Sequence, residues 1–175
     1  MVEKDYGQYD TVLPIFWATG ASLFIRLNDY RQVGGLDARF FAHMEEIDLC
    51  WRLLARGGEI YAVPQSRVYH VGGATLNKSN PRKTFLNFRN NLLMLRKNLP
   101  VGRLWWVMVI RFFMDYLAAM QMALTKQWPN AKAVWSARQE YNKMKKAYPI
   151  RTQQSSAMLV KRSIVLDYYL LGKKK

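Results

Sequence analysis

The stretch FFAHMEEIDLCWRLLARGG, residues 40–58, sets how the first half of the chain folds. Its apolar residues recur at intervals of three and four, which is the spacing of one face of an α-helix. They are Ile47, Cys50, Trp51 and Leu54. The pair Gly57–Gly58 follows and is typical of a helix end. The stretch therefore predicts an amphipathic helix over about 45–56.

Three carboxylates, those of Glu45, Glu46 and Asp48, stand in the first turn of this predicted helix. Acids there interact favourably with the helix dipole, so one explanation for them is structural. Asp48 lies four residues before Arg52, the favourable order for an ion pair, and we assign Asp48 to structure. Glu45 and Glu46 point about 100° apart on a helix, so one can hold the helix start while the other faces a cleft.

Shorter runs on either side of this helix predict strands and a further helix. IFWATGASLFI, residues 15–25, is rich in aromatic and branched residues and predicts a buried strand. Gly20, near its middle, would allow another group to approach the backbone closely. The runs at 59–63 and 66–71 predict two more short strands. RLNDYRQVGG predicts a short helix that begins near Asn28.

The second half of the chain is helical in pattern and strongly basic. Residues 82–175 hold 19 Lys and Arg against 3 Asp and Glu, whereas residues 1–81 hold 8 against 9. The helical pattern runs from about residue 82, and prolines interrupt it. These breaks are predicted near Pro100, Pro129 and Pro149. The basic half also contains the almost wholly apolar segment 104–124, and this combination favours an anionic membrane surface as partner.

Segment 104–124 is long enough to span a bilayer core of about 30 Å, but Arg111 and Asp115 lie near its middle. Because central charges oppose insertion, we expect a helix that lies in the membrane interface, where Trp105 and Trp106 would fit. An ordinary buried pair of helices is the alternative. We expect no nucleic-acid partner, because long apolar runs interrupt the basic residues and no nucleic-acid motif is present.

The cellular compartment is indicated by two features of the sequence. Cys50 is the single cysteine, which excludes an internal disulfide and fits a reducing compartment. The first stretch, MVEKDYGQYD, is acidic and polar, unlike a signal peptide. We therefore expect a cytoplasmic protein that lies peripherally on the inner face of the cytoplasmic membrane.

Several motifs occur in a fixed order along the first hundred residues. They are TGASLFIR, then G-G-L-D-x-x-F-F, E-E-x-D-L-x-x-R and V-P-x-x-x-V-x-H, and finally NPRKTFLNFRNNLLMLRKNLP. Together they resemble the C-terminal half of the catalytic domain of family 2 inverting glycosyltransferases. The bacterial members that build cell-surface polysaccharides are the most similar. The resemblance extends over residues 20–100.

The resemblance implies an α/β fold. Residues 1–100 would form the acceptor-binding and base-bearing half of a GT-A, Rossmann-like catalytic domain, and residues 101–175 a basic, helical, membrane-associating region. The implied activity is transfer of a sugar from a nucleotide-sugar donor to a glycan or lipid-linked acceptor, with inversion. The acid pair would then supply the general base, which maps onto Glu46, with Glu45 as its neighbour in the catalytic pair. A positioned carboxylate is a competent base for a hydroxyl.

The resemblance also assigns roles outside the acid pair. His70 matches a histidine that helps to hold a divalent cation, Mn²⁺ or Mg²⁺, which would neutralise the leaving diphosphate as a Lewis acid. Gly20, Arg89 and Asn90 match the acceptor or diphosphate region. A histidine with ordinary hydrogen-bond partners at a strand end is the alternative for His70. His43 is either structural or lines the acceptor site.

The chain departs from the family pattern in one large respect, because no D-x-D motif occurs anywhere in it. In the family that motif belongs to the half that binds the metal and the nucleotide. We therefore expect the isolated chain to bind nucleotide sugars poorly and to be inactive. A truncated membrane-surface interaction protein without catalysis is the alternative function.

Overall fold

The computed structural model describes residues 6–7, 9–70 and 80–150, and this part of the chain is mostly helical. Its helices are α1 (Leu27–Gln32), α2 (Glu45–Ala55), α3 (Pro81–Asn98), α4 (Val101–Leu124) and α5 (Trp128–Met144). Short 3-10 turns lie at Gly20–Ser22, Ala38–Phe40 and Lys145–Ala147. The strands β1 (Leu13–Pro14) and β2 (Tyr61–Ala62) pair antiparallel, with Leu13 opposite Ala62.

Helix α2 forms where the apolar spacing predicts it, and its two glycines end it. Gly57 has φ of +84°, which a residue without Cβ adopts at little cost. Its N–H donates to the carbonyl of Leu54 at 3.0 Å, and the N–H of Gly58 donates to Leu53 at 3.1 Å. These two bonds form a Schellman motif, which satisfies carbonyls that the helix end leaves without partners.

The helices of the second half also begin and end at residues that the sequence marks. The side chain of Asn80 accepts a hydrogen bond from the backbone N–H of Arg82 at 2.9 Å and caps α3, whose first residue is Pro81. Pro100 precedes α4, and Pro129 is the second residue of α5, where no hydrogen bond is lost. The predicted helical pattern and its breaks are therefore confirmed as far as residue 150.

The strand predictions are confirmed in one case and wrong in another. The run at 59–63 contains β2, but 15–25 is not a strand. Within 15–25, the N–H of Ile15 donates to Ile60 at 2.8 Å, and the chain then forms the 3-10 turn at Gly20–Ser22. Aromatic and branched residues favour a strand only where a partner lies alongside. Among the described residues the pairing with β2 is two residues long.

Two related expectations also differ from the structure. A Cβ placed on Gly20 would meet no atom within 4 Å, so none of the described residues makes the close approach expected there. Residues 66–70 of the third predicted strand form no strand, and residue 71 lies outside the described residues.

One core joins the elements of both halves. Helix α5 packs against α3 and α4, and α2 packs against α3. The core residues include Phe40, Trp51, Leu92, Leu93, Leu99, Leu104, Tyr141 and Tyr148. The expected boundary at residue 100 falls between α3 and α4, and the core continues across it. The GT-A architecture stays a prediction.

Candidate active site

Buried charges fix the position of α2. The Asp48 carboxylate is fully buried and accepts from Arg52 Nε at 2.9 Å and from Lys97 Nζ, in α3, at 2.8 Å. The predicted Asp48–Arg52 ion pair is therefore confirmed. The Arg52 guanidinium also donates to the backbone carbonyls of Val33 and Gly35, at the end of α1. One carboxylate thus holds α1, α2 and α3 together.

The charged cluster extends to a second aspartate in the segment before α2. Lys97 Nζ lies 3.1 Å from Asp37 and 2.8 Å from Asp48, and Asn98 donates to the other oxygen of Asp48 at 2.6 Å. Burial alone would raise the pKa of Asp37. Hydrogen bonds from Arg39 and Lys97 outweigh it and hold that pKa well below the usual 3.8. Asp37 therefore stays charged at neutral pH and balances the cations of Arg39 and Lys97.

The loop directly before α2 has an unusual backbone conformation. Phe41, His43 and Met44 have φ values of 65°, 70° and 73°, in the left-handed region that favours glycine. Such residues cost about 1–3 kcal/mol each and cluster at functional sites. The loop 41–44 leads directly into the acid pair, so the surrounding structure must hold it in place.

Asn90 of α3 holds this loop. Its side chain is fully buried, and Nδ2 donates to the carbonyls of Phe40, Ala42 and His43 at 2.8–2.9 Å. Arg89 Nε donates to Asn90 Oδ1 at 2.9 Å, and Arg89 also donates to the carbonyl of Phe40 at 3.2 Å. Asn90 and Arg89 therefore position the loop from within the protein. Their predicted contact with acceptor or diphosphate stays a prediction.

Unpartnered buried atoms gather where this loop meets α2. Glu45 and Glu46 are half-buried, and each has a buried Oε2 without a hydrogen-bond partner; the same holds for Nε2 of His43. Buried polar atoms in folded proteins nearly always have partners. Three unpartnered atoms within four residues are therefore what a site for a polar ligand would leave.

The two glutamates differ in their local contacts. Burial raises the pKa of Glu45, a hydrogen bond from its own backbone N–H opposes the rise, and the charge of Glu46 adds to it. The first carboxylate thus partly caps the helix. The assignment of the general base to Glu46, with Glu45 as its neighbour, stays a prediction.

His43 is the neutral member of the group. Burial and the charge of Lys83 lower its pKa, against the opposing effect of Glu46. The imidazole is therefore uncharged at neutral pH and offers one donor and one acceptor. A lining role for His43 follows more directly from this arrangement than a purely structural one.

Cys50 links α2 to the segment that contains Gly20. Cys50 lies one turn after Glu46 on the same face of α2, and its buried thiol contacts the backbone of Ala18. Burial raises the pKa of this thiol, and the charge of Glu46 raises it further. Gly20 is exposed two residues along the chain from Ala18. The predicted role of Gly20 in the acceptor or diphosphate region stays a prediction.

His70 is exposed at the end of the described segment 9–70. Among the described residues, no three His, Cys, Asp or Glu side chains lie where they could share a metal ion. The part of the chain with known structure therefore does not fit a complete site for Mn²⁺ or Mg²⁺. His70 as a metal ligand stays a prediction.

An open cleft of about 1300 Å³ lies between residues 15–26 and 53–63. The acid pair is not among the residues that line it. Its walls combine the aromatic ring of Trp17 with the charged side chains of Asp29 and Arg56. No motif in the sequence marks these three residues as functional.

Part of the chain is similar to rhamnosyltransferases from two bacteria. A stretch of 57 residues is 40% identical to the N-acetylglucosaminyl-diphospho-decaprenol L-rhamnosyltransferase of Mycobacterium tuberculosis, covering 33% of this chain and 19% of that protein. A stretch of 69 residues is 36% identical to Rhamnosyltransferase WbbL of Escherichia coli, covering 39% of this chain and 25% of that protein. The matches span a fifth to a quarter of the curated relatives. No family model and no solved structure matches the chain.

Proposed function

We propose that this chain is the acceptor-binding and base-bearing part of a glycosyltransferase. The observation that carries the proposal is the pair Glu45–Glu46, whose unpartnered buried oxygens follow a strained loop at the start of α2. The partial similarity to rhamnosyltransferases supports the same reaction class. A carboxylate held without a partner is suited to take a proton from an acceptor hydroxyl.

The reaction is a direct displacement at the anomeric carbon of a nucleotide sugar. Glu46 Oε2 accepts the proton of the acceptor hydroxyl, whose oxygen forms the new bond to the anomeric carbon. The bond to the nucleoside diphosphate breaks on the opposite face, and the diphosphate leaves with the bonding electrons. Attack opposite the leaving group inverts the anomeric configuration. Glu45 keeps its hydrogen bond to the helix start, and neutral His43 lines the acceptor side.

The names of the relatives suggest which substrates to test first. The donor sugar would be rhamnose, and the acceptor would be N-acetylglucosamine linked through a diphosphate to a prenol. A lipid-linked acceptor of this kind lies in a membrane. The proposed divalent cation would act on the leaving diphosphate, with His70 as one ligand, and no step above depends on it.

A membrane-surface protein without catalysis is the second candidate. The observation in its favour is the exposed apolar face of α4, which contains Trp106 and Phe113. The two candidates differ in what they predict for the acid pair, because only a transferase needs an unpartnered carboxylate there.

The transfer reaction itself tests the proposed function. The complete gene product that contains these residues is incubated with nucleotide-activated rhamnose, other nucleotide sugars and prenyl-diphosphate-linked N-acetylglucosamine, with and without Mn²⁺. Mass spectrometry detects the product, and NMR gives its anomeric configuration. We expect a new glycosidic bond of inverted configuration. No transfer with any donor would contradict the proposal, and retention would exclude the single-displacement mechanism.

A further inference from the structure

One face of α4 presents a row of large apolar side chains to the solvent. These residues follow one another at intervals of three or four and are 53–78% exposed. They are Trp106, Ile110, Phe113, Leu117, Met120 and Leu124. We call this row the α4 stripe. It contains no charged residue and extends about 28 Å along the helix, at 1.5 Å per residue.

The opposite face of α4 packs against the protein and contains the central charges that oppose a membrane-spanning orientation. Asp115 is 1% exposed, and its carboxylate lies 2.7 Å from Arg111 and 3.0 Å from Arg138 of α5. The positions of Asp115 and Phe113 differ by about 200° around the helix. The central charges are therefore paired inside the protein, away from the α4 stripe.

Helix α4 is long and apolar enough to cross a bilayer by length and composition alone. Its packing favours a different orientation. Helix α5 lies along α4 and presents Lys132, Gln139 and Lys143 to the solvent, and such a polar helix would not accompany α4 into hydrocarbon. A helix with one apolar and one protein-covered face is suited to lie flat in the membrane interface.

We propose that the α4 stripe inserts into the interfacial layer of an anionic lipid bilayer and holds the chain on the membrane surface. Trp105 and Trp106 are 75% and 72% exposed and suit the headgroup depth. Arg103 and Lys126 are exposed at the two ends of the stripe, where they would meet lipid phosphates. The expected position on the inner face of the cytoplasmic membrane stays a prediction. The proposal goes beyond the transfer reaction and does not depend on it.

The structure also shows which basic side chains are available to attract an anionic lipid surface. Arg138 belongs to the Asp115 pair and is 13% exposed, so it is not available to lipid. Lys143 lies 3.3 Å from Glu140, which reduces its attraction to an anionic surface. Lys132 and Lys146 are exposed and stay free to contribute at longer range. Within residues 80–150, the electrostatic part of binding therefore depends on fewer residues than the basic composition of that segment suggests.

Vesicle flotation of the full chain tests the proposal. We expect binding to vesicles of phosphatidylcholine with phosphatidylglycerol, weaker binding to phosphatidylcholine alone, and a decrease at high salt. Phe113→Glu should lower the bound fraction about tenfold, because the new charge would enter the apolar layer. Phe24→Glu, which changes a fully exposed ring outside α4, is the matched control and should bind like the wild type. R103A/K126A should weaken the preference for anionic vesicles.

Circular dichroism of each variant checks that its helices are retained. Loss of vesicle binding can then be distinguished from loss of folding. Three results would overturn the proposal: no wild-type binding to either vesicle, equal loss with Phe24→Glu and Phe113→Glu, or full binding by Phe113→Glu. A lipid-free dimer that Phe113→Glu converts to a monomer, with no vesicle binding, would assign the stripe to contact between copies instead.

Discussion

Asp48 is the residue on which the placement of α2 depends most. Its carboxylate is fully buried and accepts hydrogen bonds from Arg52, Lys97 and Asn98. Removing one partner of a buried ion pair leaves the other charge uncompensated, which costs more than the pair itself contributes. The acid pair at the start of α2 is therefore positioned by a charge that takes no part in the proposed chemistry.

Asp48→Asn should destabilise the fold by about 3–5 kcal/mol, because two buried cations lose their shared carboxylate. Chemical denaturation of the purified chain measures this loss. Asp29→Asn is the matched control, since Asp29 is exposed and lies 3.9 Å from Arg26. The control should change stability by less than about 0.5 kcal/mol. Equal losses of stability from the two substitutions would show that the buried ion pairs of Asp48 do not stabilise the fold.

The sequence predicts one part of this network and not the rest. The Asp48–Arg52 pair is local, four residues apart on one helix, so its spacing alone predicts it. Lys97 lies 49 residues from Asp48, and no local pattern connects the two. For the same reason, local spacing does not predict the role of Asn90, which contacts residues about 50 positions away. Contacts between distant segments depend on packing that one sequence does not display.

The loop 41–44 is the element that links packing to the candidate site. Three of its residues have positive φ without being glycine. The side chain of Asn90 donates to two of its carbonyls, those of Ala42 and His43, and to that of Phe40 directly before it. A helix thus supplies the hydrogen bonds that keep a strained loop in one conformation. The orientation of Glu45 and Glu46 follows from that conformation.

Asn90→Ala should release the loop and lower transfer more than it lowers stability. We expect at least a tenfold fall in kcat, with faster hydrogen exchange of the amides in 40–44. The cost in stability should be about 1–3 kcal/mol, because buried carbonyls lose their donor. Asn87→Ala, three residues earlier on α3, is the control for loss of an amide side chain. Slow exchange in 40–44 with unchanged kcat would contradict the positioning role.

Helices and strands were predictable to different degrees. In the second half, Asn80 caps α3 and prolines mark the starts of α3, α4 and α5, so these helices occur where the sequence predicts them. The segment 15–25 has the composition of a strand but forms none. A strand requires a partner, and among the described residues only two-residue strands pair. The positive φ values in 41–44 have no signal in the sequence, since none of these residues is glycine.

Taken as a whole, the described chain has a continuous core with two unlike outer surfaces. The core joins Trp51 and Phe40 of the first half to Leu104 and Tyr141 of the second. One surface contains the strained loop and the acid pair, and the other is the apolar face of α4. The sequence predicted the acid pair at the start of α2 and the apolar segment 104–124 separately. Their common core was not predictable, because it depends on how α5 packs against α3.

The central claim is that Glu46 is the general base, and matched substitutions in the transfer assay test it most directly. Glu46→Gln keeps the size of the side chain but removes the proton acceptor, so kcat should fall by ~10²–10⁴-fold with donor binding retained. Glu45→Gln should have a smaller effect, and Glu59→Gln, at an exposed acid outside the site, should have none. Near-wild-type turnover by Glu46→Gln, with transfer abolished in Glu45→Gln, would contradict the account and make Glu45 the base.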